Sequence, residues 1–144
     1  MTLQKLQNEF PDATEATWHR HSNGGGWVEN TAQVYPSAFI GPDALVYGYA
    51  RVSGDAMVFE NARVCGNARV YGNVWVFEDA LVYGNAMVFG NAWVYGNSRV
   101  YGNAWVFGDV LVYGNSQVFE DARVYGNAWV YENDRVYEDA HVYE

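Results

Sequence analysis

Residues 92–97 read Ala-Trp-Val-Tyr-Gly-Asn, and this six-residue unit decides the fold. The unit consists of a small residue, a variable residue, an aliphatic residue, usually an aromatic residue, glycine or glutamate, and asparagine or aspartate. The aliphatic residue recurs at every sixth position from Val28 to Val142 without an insertion. A strict period of this kind predicts a repeat architecture, in which each unit packs on its neighbours.

The alternation of side chains along a strand sorts each unit into an inner and an outer side. Val94 and Ala92 share one side, which is small or apolar in every unit up to residue 130 and therefore predicts the interior. Gly96 and Asn97 form the corner, because both residue types tolerate a positive φ. Three units then make a triangular turn of 18 residues, and about seven turns stack at a strand spacing of ~4.8 Å.

This pattern resembles the hexapeptide-repeat proteins, in which an aliphatic residue is followed four places later by a small one, as in Val94 and Ser98. The resemblance covers residues 27–144, about four fifths of the chain. It implies an all-β fold, a single-stranded left-handed parallel β-helix. It does not imply one function, because the family includes acyltransferases, γ-class carbonic anhydrases and proteins without known activity. This chain differs from the usual pattern in having an aromatic residue after the aliphatic one in sixteen of twenty units.

Residues 1–26 lie outside the repeat and are predicted to form an N-terminal cap and lead-in segment, followed by one β-helix domain at 27–144. Leu3, Leu6 and Phe10 have helical spacing, and Pro11 would end the helix. Since the terminal repeats of a solenoid need a cover, we expect this short helix to cap the open end of the core.

Composition and charge exclude several classes of partner. The 144 residues carry a net charge of −9, which argues against general binding to nucleic acid or to anionic membranes. The single cysteine, Cys65, permits no internal disulfide. No apolar run approaches the ~20 residues of a membrane span. We therefore expect a cytoplasmic protein, in a host or a virus-infected cell, that needs no cofactor.

The 18-residue turn also sorts the outward side chains into three faces. Two faces mix arginine with aromatic residues, whereas the third carries no charge, which predicts an interface with protein. We expect a homo-oligomer, a trimer by analogy with the resembled family or an isologous dimer. The predicted interface residues are Phe39, Met57, Phe59, Trp75, Phe77, Trp93, Tyr95, Leu111, Tyr113, Trp129 and Tyr131.

Candidate catalytic groups are few. The resembled acyltransferases use a histidine base and a projecting loop, and the carbonic anhydrases bind zinc through three histidines. This chain has only His19, His21 and His141, and none lies in the repeats from 27 to 136. His19 and His21 would share one side of an extended strand, so a metal site there is conceivable, but a packed or solvated cap is the favoured interpretation. We predict no catalytic residue and no bound metal.

The leading hypothesis is a non-catalytic, self-associating scaffold that uses its uncharged aromatic face for oligomerisation or partner binding. One alternative is a binder of small ligands, nucleotides or glycans, at subunit interfaces. Another is a phage-type inhibitor that acts as an acidic protein or DNA mimic, and a third is a divergent hexapeptide acyltransferase. The candidate ligand-binding residues are His19, His21, Arg51, Arg69 and Trp105.

Overall fold

The computed structural model describes residues 1–144 and contains one short helix and twenty-one short strands. Most strands have two residues, because the corner of each six-residue unit interrupts the extended backbone. In chain order the elements are α1 (Leu3–Glu9), β1 (Trp18–Arg20), β2 (Trp27–Glu29), β3 (Gln33–Val34), β4 (Phe39–Ile40), β5 (Leu45–Val46), β6 (Arg51–Val52), β7 (Met57–Val58), β8 (Arg63–Val64), β9 (Arg69–Val70), β10 (Trp75–Val76), β11 (Leu81–Val82), β12 (Met87–Gly90), β13 (Trp93–Val94), β14 (Arg99–Val100), β15 (Trp105–Gly108), β16 (Leu111–Val112), β17 (Gln117–Val118), β18 (Arg123–Val124), β19 (Trp129–Val130), β20 (Arg135–Val136) and β21 (His141–Val142).

Strands β2 to β21 form three parallel sheets, in which each strand pairs with the strand one turn later in the chain. Sheet A has the order β1-β2-β5-β8-β11-β14-β17-β20, sheet B has β3-β6-β9-β12-β15-β18-β21, and sheet C has β4-β7-β10-β13-β16-β19. Trp75 pairs with Trp93, 18 residues later, so the register keeps equivalent residues in straight columns. Twenty strands at three per turn make a parallel β-solenoid of between six and seven turns, which confirms the predicted architecture.

The interior is a continuous stack of small aliphatic side chains. Val88 and Ala86 are fully buried, and the same two inward positions of the other turns join them in one continuous core. Ser98 and Ser116 replace the inward alanine in sheet A, and their hydroxyls donate 2.8 Å hydrogen bonds to the carbonyls of Tyr95 and Tyr113. Every buried side-chain polar atom therefore has a partner.

The corners hold the turns together through ladders of side-chain hydrogen bonds. The Nδ2 of Asn67 donates to the Oδ1 of Asn85 at 3.2 Å, and Asn85 donates in the same way to Asn103. Asn103 then donates to the Oδ1 of Asp121 at 3.3 Å. Because a carboxylate accepts but cannot donate, aspartate ends this ladder.

The predicted helix forms, but it does not cap the open end of the core. Leu6 of α1 packs with Trp27 and Leu45, whose side chains project outward from sheet A, in a cluster separate from the interior. Glu9 at the end of the helix forms a 2.6 Å ion pair with Arg63 of the same sheet. The expected position was wrong because the large side chains of α1 find large apolar partners only on this outer surface.

The residues after the helix cover the N-terminal end instead. Strand β1 pairs antiparallel with β2, so His19 lies opposite Val28 at the edge of sheet A. The backbone N–H of Gly26 donates to the carbonyl of Ile40 at 2.9 Å, and the N–H of Ile40 donates to the carbonyl of Asn23 at 3.0 Å. These bonds occupy the first strand edges of sheets A and C, which would otherwise be open to another chain.

The single helix has seven residues, so no helix of this structure could cross a lipid bilayer.

Candidate interaction surfaces

Sheet C presents only uncharged side chains at its outward strand positions, as the 18-residue turn predicts. We call this surface the aromatic face, and it consists of two adjacent columns. The first column precedes the inward aliphatic residues and the second follows them. The columns contain Phe39, Met57, Trp75, Trp93, Leu111 and Trp129, and Gly41, Phe59, Phe77, Tyr95, Tyr113 and Tyr131.

The rings of the aromatic face stack on one another along the solenoid. Trp75 and Trp93 are parallel, with ring centroids 4.7 Å apart. Phe77 stacks on Phe59 at 5.0 Å and on Tyr95 at 4.8 Å. The two columns also touch edge to face, for example Phe77 and Trp93 at 6.0 Å. Stacking holds each ring in place, so this face is a preorganised surface of ring edges.

Exposure increases toward one end of the aromatic face. Trp93 is 37% exposed, Trp129 is 58% exposed and Tyr131 is 40% exposed, whereas Trp75 is covered more completely by its neighbours. Burial raises the pKa of Tyr95, and the nearby Tyr113 and Glu78 raise it further. The Tyr95 hydroxyl therefore stays neutral at physiological pH, and this part of the face carries no charge.

Sheet A offers an internal comparison, because its own apolar patch is covered. Trp27 and Leu45 are buried beneath α1, and Tyr47 packs against Phe10 with ring centroids 5.0 Å apart. The chain thus covers large apolar side chains where they project from the first turns of sheet A. The rings of sheet C in the later turns, such as Trp129, are not covered in this way.

Sheet B brings together two of the candidate ligand-binding residues. Arg51 and Arg69 lie directly opposite each other on β6 and β9. Trp105 lies two strands farther along and is engaged by its neighbours, because the guanidinium of Arg123 lies 4.5 Å from its ring centroid and the ring of Phe89 meets it at 6.3 Å. The structure therefore groups the two arginines and places Trp105 outside that group.

The two N-terminal histidines do not share a face. His19 is exposed and its Nδ1 lies 2.6 Å from the Oδ1 of Asn30. His21 is buried and its Nε2 lies 2.7 Å from the carbonyl of Ala38. The extended backbone ends at Arg20, so the side-by-side arrangement expected for a continuous strand does not occur. The structure contains no group of three or more His, Cys, Asp or Glu residues that could hold a metal ion.

Four stretches of the chain match the family model described as YdcK Beta solenoid repeat, at residues 50–65, 62–78, 80–96 and 116–132. Each match spans about one turn of the structure. This chain is a β-solenoid repeat protein. The matched repeat supports the fold, and membership of the hexapeptide transferases stays a prediction. No curated protein and no solved structure matches the chain significantly.

One cluster of this β-solenoid was missed by sequence reasoning. Cys65 interrupts the aromatic column of sheet A, and Tyr47 lies against it with Arg63 beside them. Burial raises the pKa of the Cys65 thiol, which makes the thiolate scarce. Burial, followed by the hydrogen bond to Cys65, raises the pKa of Tyr47 to about 12. The break in the column at Cys65 was the available signal, but it does not reveal the contact with Tyr47.

The shifted pKa of Tyr47 predicts a loss of stability at alkaline pH. An ordinary tyrosine has a pKa of 10.0, whereas folded Tyr47 keeps its proton up to about pH 12. The folded state holds more protons than the unfolded state within this window, so the free energy of unfolding falls as pH rises through it. We expect the melting temperature of Tyr47→Phe to fall less over the same window, as measured by circular dichroism. Tyr35→Phe, at an exposed ring, is the matched control, and identical profiles for wild type and Tyr47→Phe would contradict the assignment.

Proposed function

We propose that this β-solenoid is a non-catalytic scaffold that associates with further copies of itself through the aromatic face. The observation that carries the proposal is the contrast between sheets. Sheet A is partly covered by α1 and carries Arg63, and sheet B carries exposed Arg51 and Arg69. Sheet C alone is uncharged at all its outward strand positions, and α1 does not cover it. Its Trp, Tyr, Phe and Met residues are the types enriched in the cores of protein interfaces.

The size of the aromatic face predicts the strength of the association. A side of about five residues at ~3.3 Å and six strands at ~4.8 Å give roughly 475 Å² for each copy. Two copies would then bury about 950 Å², which is below the usual range of stable interfaces and typical of weak ones. We therefore expect association that depends on protein concentration. The resemblance to hexapeptide-repeat proteins favours a trimer, and an isologous dimer fits the same chemistry.

The rim of the aromatic face also bears on association. Glu60 and Glu78 lie at successive corners beside Phe59 and Phe77, and Glu78 is close enough to Tyr95 to raise its pKa. Copies that meet through sheet C would bring such carboxylates near one another. Since salt screens exposed charges over about 8–10 Å at physiological strength, association should strengthen with added salt.

The hydrogen bonds of His19 and His21 support the non-catalytic part of the proposal. The resembled acyltransferases need a histidine base that is free to take a proton from substrate. His21 is buried and bonded to the backbone of Ala38, and His19 is bonded to Asn30. Turnover of an acyl-coenzyme A that is lost in His19→Ala or in His21→Ala would overturn this part.

The double variant Trp75→Glu/Trp93→Glu tests the interface. Light scattering over a broad range of protein concentration should give a wild-type mass that rises toward two or three times 16.2 kDa. The variant should remain at 16.2 kDa throughout, because two carboxylates in the centre of the contact would lose their hydration. Circular dichroism should show that the variant keeps the solenoid fold, since both side chains point away from the core.

Trp105→Glu is the control, because it places one such carboxylate at the equivalent position of sheet B. It should leave the concentration dependence of the wild-type mass unchanged. A wild-type monomer at every concentration would contradict self-association, and equal dissociation by Trp105→Glu would show that sheet C is not the contact.

A further inference from the structure

The aromatic column of sheet B lacks one ring. Tyr71, Phe89 and Phe107 stack in parallel, with centroids 5.0 Å and 4.8 Å apart. The column continues on the other side with Tyr35, but Ser53 occupies the position between Tyr35 and Tyr71. We call the space above Ser53, between these two rings, the slot.

The parallel sheet continues beneath the slot without a break. The N–H of Tyr35 donates to the carbonyl of Val52 at 3.0 Å, and the N–H of Ser53 donates to the carbonyl of Val70 at 2.9 Å. Tyr35 and Tyr71 are therefore two strand spacings apart, or ~9.6 Å. A flat ring inserted midway would lie ~4.8 Å from each tyrosine. This separation matches that of the stacked rings elsewhere in the solenoid, such as Tyr83 and Tyr101 at 4.8 Å.

The slot opens into a surface groove of about 400 Å³. The groove is lined by Tyr35, Arg51, Ser53, Arg69, Tyr71 and Met87. The other interruption of an aromatic column inside the solenoid, at Cys65 in sheet A, is different. There Tyr47 lies close enough to the thiol for each group to affect the pKa of the other. The hydroxyl of Ser53 makes no side-chain hydrogen bond, and Ser53 lines an open groove.

The two arginines beside the slot have no partner in the chain, whereas most of the other arginines do. Arg63 pairs with Glu9, and Arg20, Arg123 and Arg135 lie over aromatic rings. Arg99 lies near the hydroxyl of Tyr83. Burial raises the pKa of this hydroxyl, and Arg99 lowers it in part.

Arg51 and Arg69 make no salt bridge, side-chain hydrogen bond or cation–π contact, and they lie opposite each other on neighbouring strands. Two like charges at one strand spacing repel each other, and an anion between them would relieve the repulsion. Guanidinium groups bind phosphate and carboxylate through paired hydrogen bonds.

We propose that the slot binds a nucleotide-like ligand, with a planar heteroaromatic ring between Tyr35 and Tyr71 and a phosphate on Arg51 and Arg69. Stacking between two aromatic side chains recognises the faces of a base. The hydroxyl of Ser53, at the floor of the slot, offers a hydrogen bond to the polar edge of such a ring. Because the slot lies on sheet B, its occupation does not depend on self-association through sheet C.

Calorimetric titration with adenosine monophosphate and uridine monophosphate tests the proposal. Both should bind the wild type. Adenosine and inorganic phosphate each supply half of the recognised chemistry, so each should bind with an affinity at least about tenfold lower. Affinities in Trp75→Glu/Trp93→Glu should equal those of the wild type. This comparison separates failure of the slot from failure of the interface on sheet C.

Ser53→Tyr is the decisive variant, because it supplies the missing ring and completes the column. It should unfold at the same temperature as wild type or higher, and its affinity for either nucleotide should fall about tenfold or more. Arg51→Gln and Arg69→Gln should each weaken binding. Arg123→Gln, on the same sheet but over Trp105, should leave the affinity unchanged.

Three results would overturn the proposal: failure of both nucleotides to bind the wild type at millimolar concentration, unchanged affinity in Ser53→Tyr, and an equal loss in Arg123→Gln and in Arg69→Gln. The last of these would indicate attraction by overall charge and not a site.

Discussion

We expect Val88→Asp to abolish cooperative folding of the solenoid. Val88 is fully buried on β12, in a middle turn, and it pairs with Val70 on one side and Val106 on the other. A carboxyl group there would have no polar partner, and the loss in free energy of unfolding should exceed about 4 kcal/mol. Because each turn of a solenoid is stabilised only by its neighbours, damage in the middle also separates the two ends. Thermal and urea unfolding followed by circular dichroism would measure the effect.

Val142→Asp is the matched control, because it makes the same change in the last turn, where the side chain is partly exposed. The chain already contains a related case. Asp134 occupies the position that is alanine or serine in most turns of sheet A, and it is exposed, with its Oδ2 accepting a 3.3 Å hydrogen bond from the N–H of Tyr131. We expect Val142→Asp to cost about 1 kcal/mol or less. Equal losses in the two variants would contradict the dependence on position.

Gly90→Val should produce the second large loss of stability. Gly90 has a φ of +78°, a conformation that β-branched residues rarely adopt. A Cβ at this position would also lie 2.7 Å from the backbone N of Gly108 in the next turn, closer than a real Cβ contact. Together these effects should lower the free energy of unfolding by roughly 2–4 kcal/mol. Urea denaturation would measure the change.

Gly90→Asn separates the two causes of that loss. Asparagine tolerates a positive φ better than valine does, but it carries the same Cβ. A smaller loss for asparagine would show that backbone conformation dominates. Corner residues such as Glu78, with a φ of 58°, show that a side chain is accepted at this position of the unit when φ is near the left-handed optimum. Wild-type stability in Gly90→Val would contradict the argument.

The faces of the solenoid could be predicted because two simple periods combine. Side chains alternate along a strand, and the chain returns to the same sheet after 18 residues. Trp75 and Trp93 therefore had to be neighbours, and the structure places them in register with their rings stacked at 4.7 Å. The buried Val88 and Ala86 follow from the same alternation. Neither result depends on long-range packing that a sequence pattern would not reveal.

The N-terminal helix shows where this reasoning ends. The spacing of Leu3, Leu6 and Phe10 predicts a helix with one apolar side, and α1 forms. The pattern contains no information about the partner of that side, which in the structure is the outer surface of sheet A at Trp27 and Leu45. An apolar stripe binds whichever apolar surface fits it, and that fit is a property of the folded solenoid.

The repeat, the inward valine stack, the asparagine ladders and the uncharged face of sheet C were determined by the sequence alone, because each depends on a residue and its equivalents at a fixed separation along the chain. The tertiary structure decided the position of the helix on sheet A, the interaction of Tyr47 with Cys65 and the open slot at Ser53. These features depend on where side chains from different positions of the repeat meet. Ser53 and Cys65 are equivalent interruptions in the sequence, but Cys65 interacts with Tyr47 and Arg63, whereas Ser53 lines an open groove.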